Sequence, residues 1–195
     1  MPKIVDHEAR RRHLAEAVQR LIDAKGMDGV SLREVAAAAG VSMGLVQHYF
    51  ATKDELLLAA LRHLNTRISL RVAAAPQDSP RALLRAGILE LLPLDDERRF
   101  EARVGLAFLA RSVVDAPTAE LYRTGLPYVL AFYAGRLAAA QAAGEIPAAL
   151  DPAHEATVLF AFAQGLVHPA LIGHYSPDEV VNAVDRHLAR LFAPA

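Results

Sequence analysis

The residues best suited to chemistry cluster near the N-terminus, in the segment Ser31 to Leu57, SLREVAAAAGVSMGLVQHYFATKDELL. The chemistry they suit is recognition, not bond making. Gln47 carries an amide able to pair with an adenine edge through two hydrogen bonds, and His48 can donate to or accept from a base or phosphate. Ser42, Met43, Gly44 and Tyr49 share their outward face of one short helix, with Gly44 permitting close approach of the backbone to a duplex. Ser42 at a helix start and Lys53 as a cation are placed to hold phosphates. Ser31, the cap of the preceding helix, joins this DNA-facing set. Arg33 and the run Arg10-Arg11-Arg12 would add salt-dependent phosphate contacts.

Such a face works only if a second helix braces it at a steep angle. The pattern supplies that brace. Ser31 with Glu34 three residues on has the spacing of a capping box, and Gly40 ends the short helix it starts. Ser42 then starts the next, which runs to about Phe50. Ala36 and Ala37 are small where two backbones must cross, and Val35, Val41, Val46 and Phe50 can bury together. Two short helices joined by a tight turn at Gly40-Val41 specify a helix-turn-helix, whose second helix enters the major groove.

The rest of the chain reads as helix. Leu14, Ala17, Val18, Leu21 and Ile22 recur at three- and four-residue steps, predicting a helix over 7–25. A fourth helix is expected from Thr52 to about Ala73, running from head to body and making them one rigid unit. Ala74 to Pro80 breaks the pattern. Five longer helices follow at about 80–92, 96–114, 117–143, 152–173 and 177–192, with prolines at or near their ends. Pro127 and Pro169 fall inside and should kink or divide their helices. The fold class is therefore all-α with about nine helices. A helix-turn-helix domain occupies 1–52, with the fourth helix shared to about 62, and a helical domain occupies 63–195.

Other classes of function find little support. The chain has 195 residues, of which 53 % are hydrophobic, enough for a substantial core and against overall disorder. It has no Cys, which excludes disulfides and thiolate metal sites and suits a cytoplasmic location. The charged N-terminus is not a signal peptide, and no apolar run is long enough for a membrane span, so no membrane partner is expected. His154-Glu155 has Val158 where a zinc-protease motif needs a second His, and no nucleophile elbow or phosphate loop occurs. No two of the eight His lie one four-residue step apart, so neither an enzyme, a metal site nor a cofactor is expected. Net charge is −1, yet residues 1–71 carry 11 Lys/Arg against 8 Asp/Glu, and the remainder 10 against 14. That polarity suits a basic head on an acidic body.

The run GVSMGLVQHYFATKDELL closely resembles the signature of the tetracycline-repressor (TetR) family, through Gly40, Val41, Ser42, Gly44, Tyr49, Phe50, Lys53, Glu55, Leu56 and Leu57. Gln47 stands where many members have Tyr. His48-Tyr49-Phe50 and the opening Met1-Pro2-Lys3 with Arg10-Arg11-Arg12 are similar to the branch named after the choline-responsive repressor of the betaine pathway. The resemblance implies a homodimer formed through the last two helices, a double-stranded DNA operator of near-palindromic sequence, and a small-molecule effector held in the body. Candidate effector-binding residues are Phe100, Phe108, Tyr122, Phe132, Phe160, Gln164 and His168. Absence of Trp removes the best platform for a quaternary ammonium and argues against borrowing choline as the effector. Candidate dimer residues are Leu171, Val180, Val184, His187, Leu188 and Leu191, although that stripe equally suits an internal core. The rival reading is a helical small-molecule-binding or dimerisation protein whose head does not read DNA, since 42–50 contains no Lys or Arg.

Overall fold

Local capping chemistry sets most of the helix boundaries. The computed structural model describes residues 7–76 and 78–192, and every regular element among them is helical. In chain order these are α1 (His7–Lys25), a 3-10 turn (Met27–Gly29), α2 (Leu32–Ala39), α3 (Met43–Tyr49), α4 (Lys53–Ala74), α5 (Pro80–Leu89), α6 (Asp96–Ser112), α7 (Ala116–Ala142), α8 (Pro152–Leu171) and α9 (Pro177–Leu191). Ser31, Ser42 and Ser79 each accept a hydrogen bond from the backbone three residues on, at 3.2, 3.2 and 3.1 Å. Each such bond satisfies a donor that the first helical turn leaves unpaired. At α9 the box is complete: Ser176 Oγ accepts from Glu179 N, and the Glu179 carboxylate accepts from Ser176 N at 2.8 Å. At α2 it is half-formed, because the Glu34 carboxylate turns away to Lys25 Nζ at 3.0 Å. Pro127 and Pro169 leave α7 and α8 undivided.

The chain forms two compact units. The first takes residues up to Arg67 together with Arg103–Ala119; the second takes Ile68–Ala102 and Glu120 onward. The stretch 103–119, assigned by its sequence position to the C-terminal domain, therefore groups with the head. In the first unit, Leu14, Val18 and Ile22 of α1 are buried with Val35, Val46, Phe50, Leu57 and Leu61. Gln19 is buried too, and its amide donates to the Ala60 carbonyl at 2.9 Å, so a polar side chain inside the core is satisfied. Arg103 grips the Asp23 carboxylate with two nitrogens.

In the second unit, Leu84 and Ile88 of α5, Tyr133 and Leu137 of α7, Leu159 and Ala163 of α8, and Val184 and Leu188 of α9 form one core. Arg85 on α5 binds Asp185 on α9 through both carboxylate oxygens, at 2.6 and 3.1 Å. That guanidinium holds the Asp185 carboxyl below the usual carboxylate range.

Gly40 is a position in the head where the turn between α2 and α3 demands glycine. Its φ of 65° and ψ of 34° are left-handed, and Val41 N reaches back to Ala36 O at 3.0 Å, closing α2. A Cβ there would meet nothing within 4 Å, so the cost of Gly40→Ala is backbone strain alone. We expect a loss of about 1–2 kcal/mol, read as a fall in melting temperature of about 2–8 °C. An unchanged melting curve would contradict the strain argument.

Candidate functional site

The first unit presents one side of α3 at its surface. Val46 and the following Phe50 are buried, which anchors one side of α3 to the unit's core. Val35 and Ala36 of α2 are buried against this region, whereas Ala37 is exposed and takes no part in the crossing. The opposite side of α3 then faces outward by helical phase: Ser42, Met43, Gly44, Gln47 and His48 are exposed and Tyr49 is half-buried. Met43 is 46 % exposed, an unusual state for so apolar a side chain and one suited to a thymine methyl or sugar surface. A Cβ on Gly44 would find only Ser42 Oγ, at 4.0 Å, so nothing in the chain screens this backbone from a partner.

α1 steadies the end of α3. Arg11 donates to the Tyr49 carbonyl at 3.0 Å, and its guanidinium lies 4.5 Å from the Phe50 ring centre. The Tyr49 hydroxyl shares a 3.1 Å hydrogen bond with His7 Nδ1, so it is held before any phosphate arrives. His13 donates to the Ala39 carbonyl at 2.9 Å, tying α1 to the end of α2. Arg11 thus positions the face and does not simply contact phosphate. Arg10, Arg12 and Arg33 are exposed, and Lys53 is half-buried at the start of α4. Ser31 and Ser42 both use their hydroxyl oxygens as caps.

The second unit contains a cavity of about 500 Å³, walled by Ile68, Ser69, Val72 and Ala73 of α4, Gly87 of α5 with the following Leu91, and Tyr128, Val129, Phe132, Tyr133 and Arg136 of α7. Residues 129, 132, 133 and 136 share one helical face by their spacing. Gly87 permits the wall to close. A Cβ there would lie 3.1 Å from both the Phe132 and the Tyr133 ring. Of the residues expected at such a cavity, Phe132 lines this one. Phe108 is fully buried in the first unit. Phe100, Tyr122 and Phe160 are half-buried elsewhere, burial pushing the Tyr122 hydroxyl up to about 12. Gln164 and His168 are exposed on α8, whose inward phase belongs to Ala163, Val167 and Ala170. Tyr128 and Arg136 were not anticipated. The usable signal was Arg136, a lone charge in the Ala-rich stretch 134–143.

The expected dimer stripe divides in the same way. Val180, Val184, Leu188 and Leu191 are at most 8 % exposed and belong to the chain's own core, which corrects their assignment to a contact with a second copy. The reason is that α5 and α8 already cover that side of α9. Leu171 and His187 are half-buried. The His187 ring stacks on Phe162 at 4.8 Å, and burial lowers its pKa, favouring the neutral imidazole. Among the described residues, no cluster of three His, Cys, Asp or Glu is placed to hold a metal, and no helix is long and apolar enough to cross a membrane.

Comparison with known proteins finds two families along the chain. A family described as bacterial regulatory proteins, tetR family, matches residues 14–60. A second, described as BetI-type transcriptional repressor, C-terminal, matches residues 80–193. The chain is similar to the HTH-type transcriptional regulator PksA of Bacillus subtilis, with 39 % identity over 112 residues that make up 56 % of this chain and 55 % of that protein. It is similar to BetI of Burkholderia mallei, with 38 % identity over 129 residues, 63 % of this chain and 65 % of that one. It thus spans between half and two-thirds of the length of these relatives. A transcriptional regulator from Rhodococcus sp. Rha1 superposes with a TM-score of 0.83 at 32 % identity, covering 93 % of this chain and 95 % of that one. A regulator from Saccharomonospora viridis, solved in complex with choline, shares the fold with a TM-score of 0.83 at 24 % identity, covering 93 % and 96 %. With a helix-turn-helix at its head and the second family covering more than half of its length, the chain belongs to the TetR family of bacterial regulatory proteins and carries a BetI-type C-terminal domain.

Proposed function

We propose that this chain is a ligand-responsive transcriptional repressor that binds a near-palindromic operator as a homodimer and releases it when a small molecule enters the cavity of the second unit. The observation that carries this reading is the outward face of α3, where Gln47 and His48 are exposed on a helix anchored through Val46 and Phe50. A dimer would set two such helices in successive major grooves. α4 contributes Lys53–Arg67 to the head unit and Ile68, Ser69, Val72 and Ala73 to the cavity wall, so a ligand that displaces its C-terminal end acts on an element the head also uses. A coupling of about 1–3 kcal/mol would change operator affinity roughly 5- to 150-fold.

The second copy would pack against the outer face of α8, where Thr157, Ala161, Gln164, Gly165 and His168 are exposed beside half-buried Phe162 and Leu166. Gln164 and His168 thereby move from the effector to the dimer. Footprinting on DNA upstream of the chain's own gene tests the reading. Protection of a near-palindromic site, weakening steeply as salt rises, is expected. Absence of any sequence-selective protection would favour the rival, a ligand-binding helical protein that does not read DNA, which the lack of Lys and Arg in 42–50 supports.

A further inference from the structure

The geometry points to an amphipathic monoanion, a carboxylate on an apolar body, as the class of molecule that the α4/α5/α7 cavity takes. The inference rests on the reading of that cavity as an effector site and adds the charge and shape of the effector. Three observations lead to it.

The first is Arg136. Its guanidinium lies 4.5 Å from the Phe132 ring centre at the cavity wall, and among the described residues it has neither a hydrogen bond nor an ion pair. It differs in this from Arg71, Arg85, Arg98, Arg103 and Arg111, each of which holds a carboxylate. A planar fork of donors beside an apolar cavity matches a carboxylate, which it binds through two parallel hydrogen bonds.

The second is Tyr133. It is only 2 % exposed, lines the same cavity, and has no hydrogen-bond partner for its hydroxyl among the described residues. That hydroxyl is reachable from the cavity, so it is available to donate to a ligand oxygen. Tyr133 and Arg136 lie three residues apart on α7, one turn along the same face, so one head group can meet both.

The third is what the wall lacks. No Asp or Glu lines the cavity. Its remaining surface is aliphatic and aromatic, from Val72, Leu91, Val129 and Phe132, and suits an apolar body. Three aromatic rings at Tyr128, Phe132 and Tyr133 are the usual furniture of a site for a quaternary ammonium. Here the Phe132 face is already occupied by Arg136, and a second cation beside an unneutralised guanidinium is repelled. The cavity is therefore built against the charge of choline, the ligand of the Saccharomonospora viridis regulator.

Calorimetric titration of the full chain tests this with four probes: decanoate, 4-phenylbutyrate, 1-decanol and choline. At least one carboxylate is expected to saturate one site per chain, at least about tenfold tighter than 1-decanol and choline. Arg136→Gln should weaken that carboxylate about 10- to 100-fold, Arg136→Lys should fall between the native chain and Arg136→Gln because it keeps the charge and loses the two-toothed fork, and Tyr133→Phe should weaken it severalfold. Retained affinity in Arg136→Gln would overturn the proposal, as would silence from both carboxylates or tighter binding of choline. Gel shift with the upstream DNA separates the two levels. A carboxylate that binds without releasing DNA supports the ligand class and counts against the repressor-release reading. Release by choline alone keeps that reading and overturns the ligand class.

Discussion

Replacing Gln47 and His48 together with alanine is expected to abolish sequence-selective DNA binding while leaving the fold and the non-selective affinity in place. Both side chains are exposed on α3, and neither is part of the core held by Val46 and Phe50, so truncation opens no cavity. A well-formed bidentate contact to a base is worth about 1–3 kcal/mol of discrimination. In a dimer the loss occurs twice, which amounts to about 30- to 10⁴-fold in operator affinity. Neither residue is a lysine or arginine, so phosphate neutralisation survives. The salt slope of residual binding should stay within about one unit of the native slope. Arg33→Ala should do the reverse, reducing the slope by roughly one with little change in sequence preference. Gel shifts over a salt series, with circular dichroism as the folding control, distinguish the two. Equal operator binding by the double variant would remove α3 from the role assigned to it.

Arg71→Met is expected to destabilise the second unit by about 2–4 kcal/mol. Arg71, near the end of α4, donates to Glu90 at 2.6 Å and grips Glu101 of α6 with both terminal nitrogens. Glu97 lies 3.5 Å from the same guanidinium, and Arg98 extends the cluster to Glu90 and Asp95. The Glu101 side chain is 3 % exposed. Removing the arginine deprives a buried carboxylate of a charged, two-toothed partner, and the stem of Met restores the packing but not the charge. The cost falls short of that for a fully buried pair because Arg71 is itself 29 % exposed and water can partly replace it. Paired substitution isolates the cause: in a Glu101→Gln background, Arg71→Met should cost markedly less than in the native chain. Chemical denaturation of the four proteins supplies the cycle. A loss below about 0.5 kcal/mol, the range of ordinary surface substitutions, would show that the cluster is ornamental. Arg71 precedes Val72, and Glu90 precedes Leu91, both in the cavity wall, so the same variant should also weaken carboxylate probes.

Features governed by neighbours in the chain were legible in advance. Ser31 and Ser42 stop their helices from fraying through bonds to residues three positions on, and Gly40 turns the backbone through its own freedom of φ. The exposed side of α3 follows from the same logic, since seven helical residues with Val46 inward leave Gln47 and His48 outward. Even there, the destination of Glu34 escaped the local rule, because Lys25 at the end of α1 offered a charge that the capping geometry did not.

Features that depend on what covers a face were not legible. The periodicity of α9 states that Val180, Val184, Leu188 and Leu191 are buried, but a stripe carries no label for its partner. The fold supplies α5 and α8 from within the chain, and the side chains go to the core instead of a second copy. The same blindness put Gln164 and His168 at a cavity and passed over Arg136, because the helical phase that meets a cavity is set by three packed elements at once. Nor does position along the chain reveal that 103–119 packs with the head unit.

The sequence by itself thus determined the helices, their ends, and the type and spacing of the outward side chains of α3, all through interactions within a few residues. Only the tertiary structure decided which apolar stripe became core, which arginine came to line the cavity, and where that cavity opened. Those outcomes depend on pairs such as Arg85 with Asp185, a hundred positions apart, whose meeting no local pattern encodes.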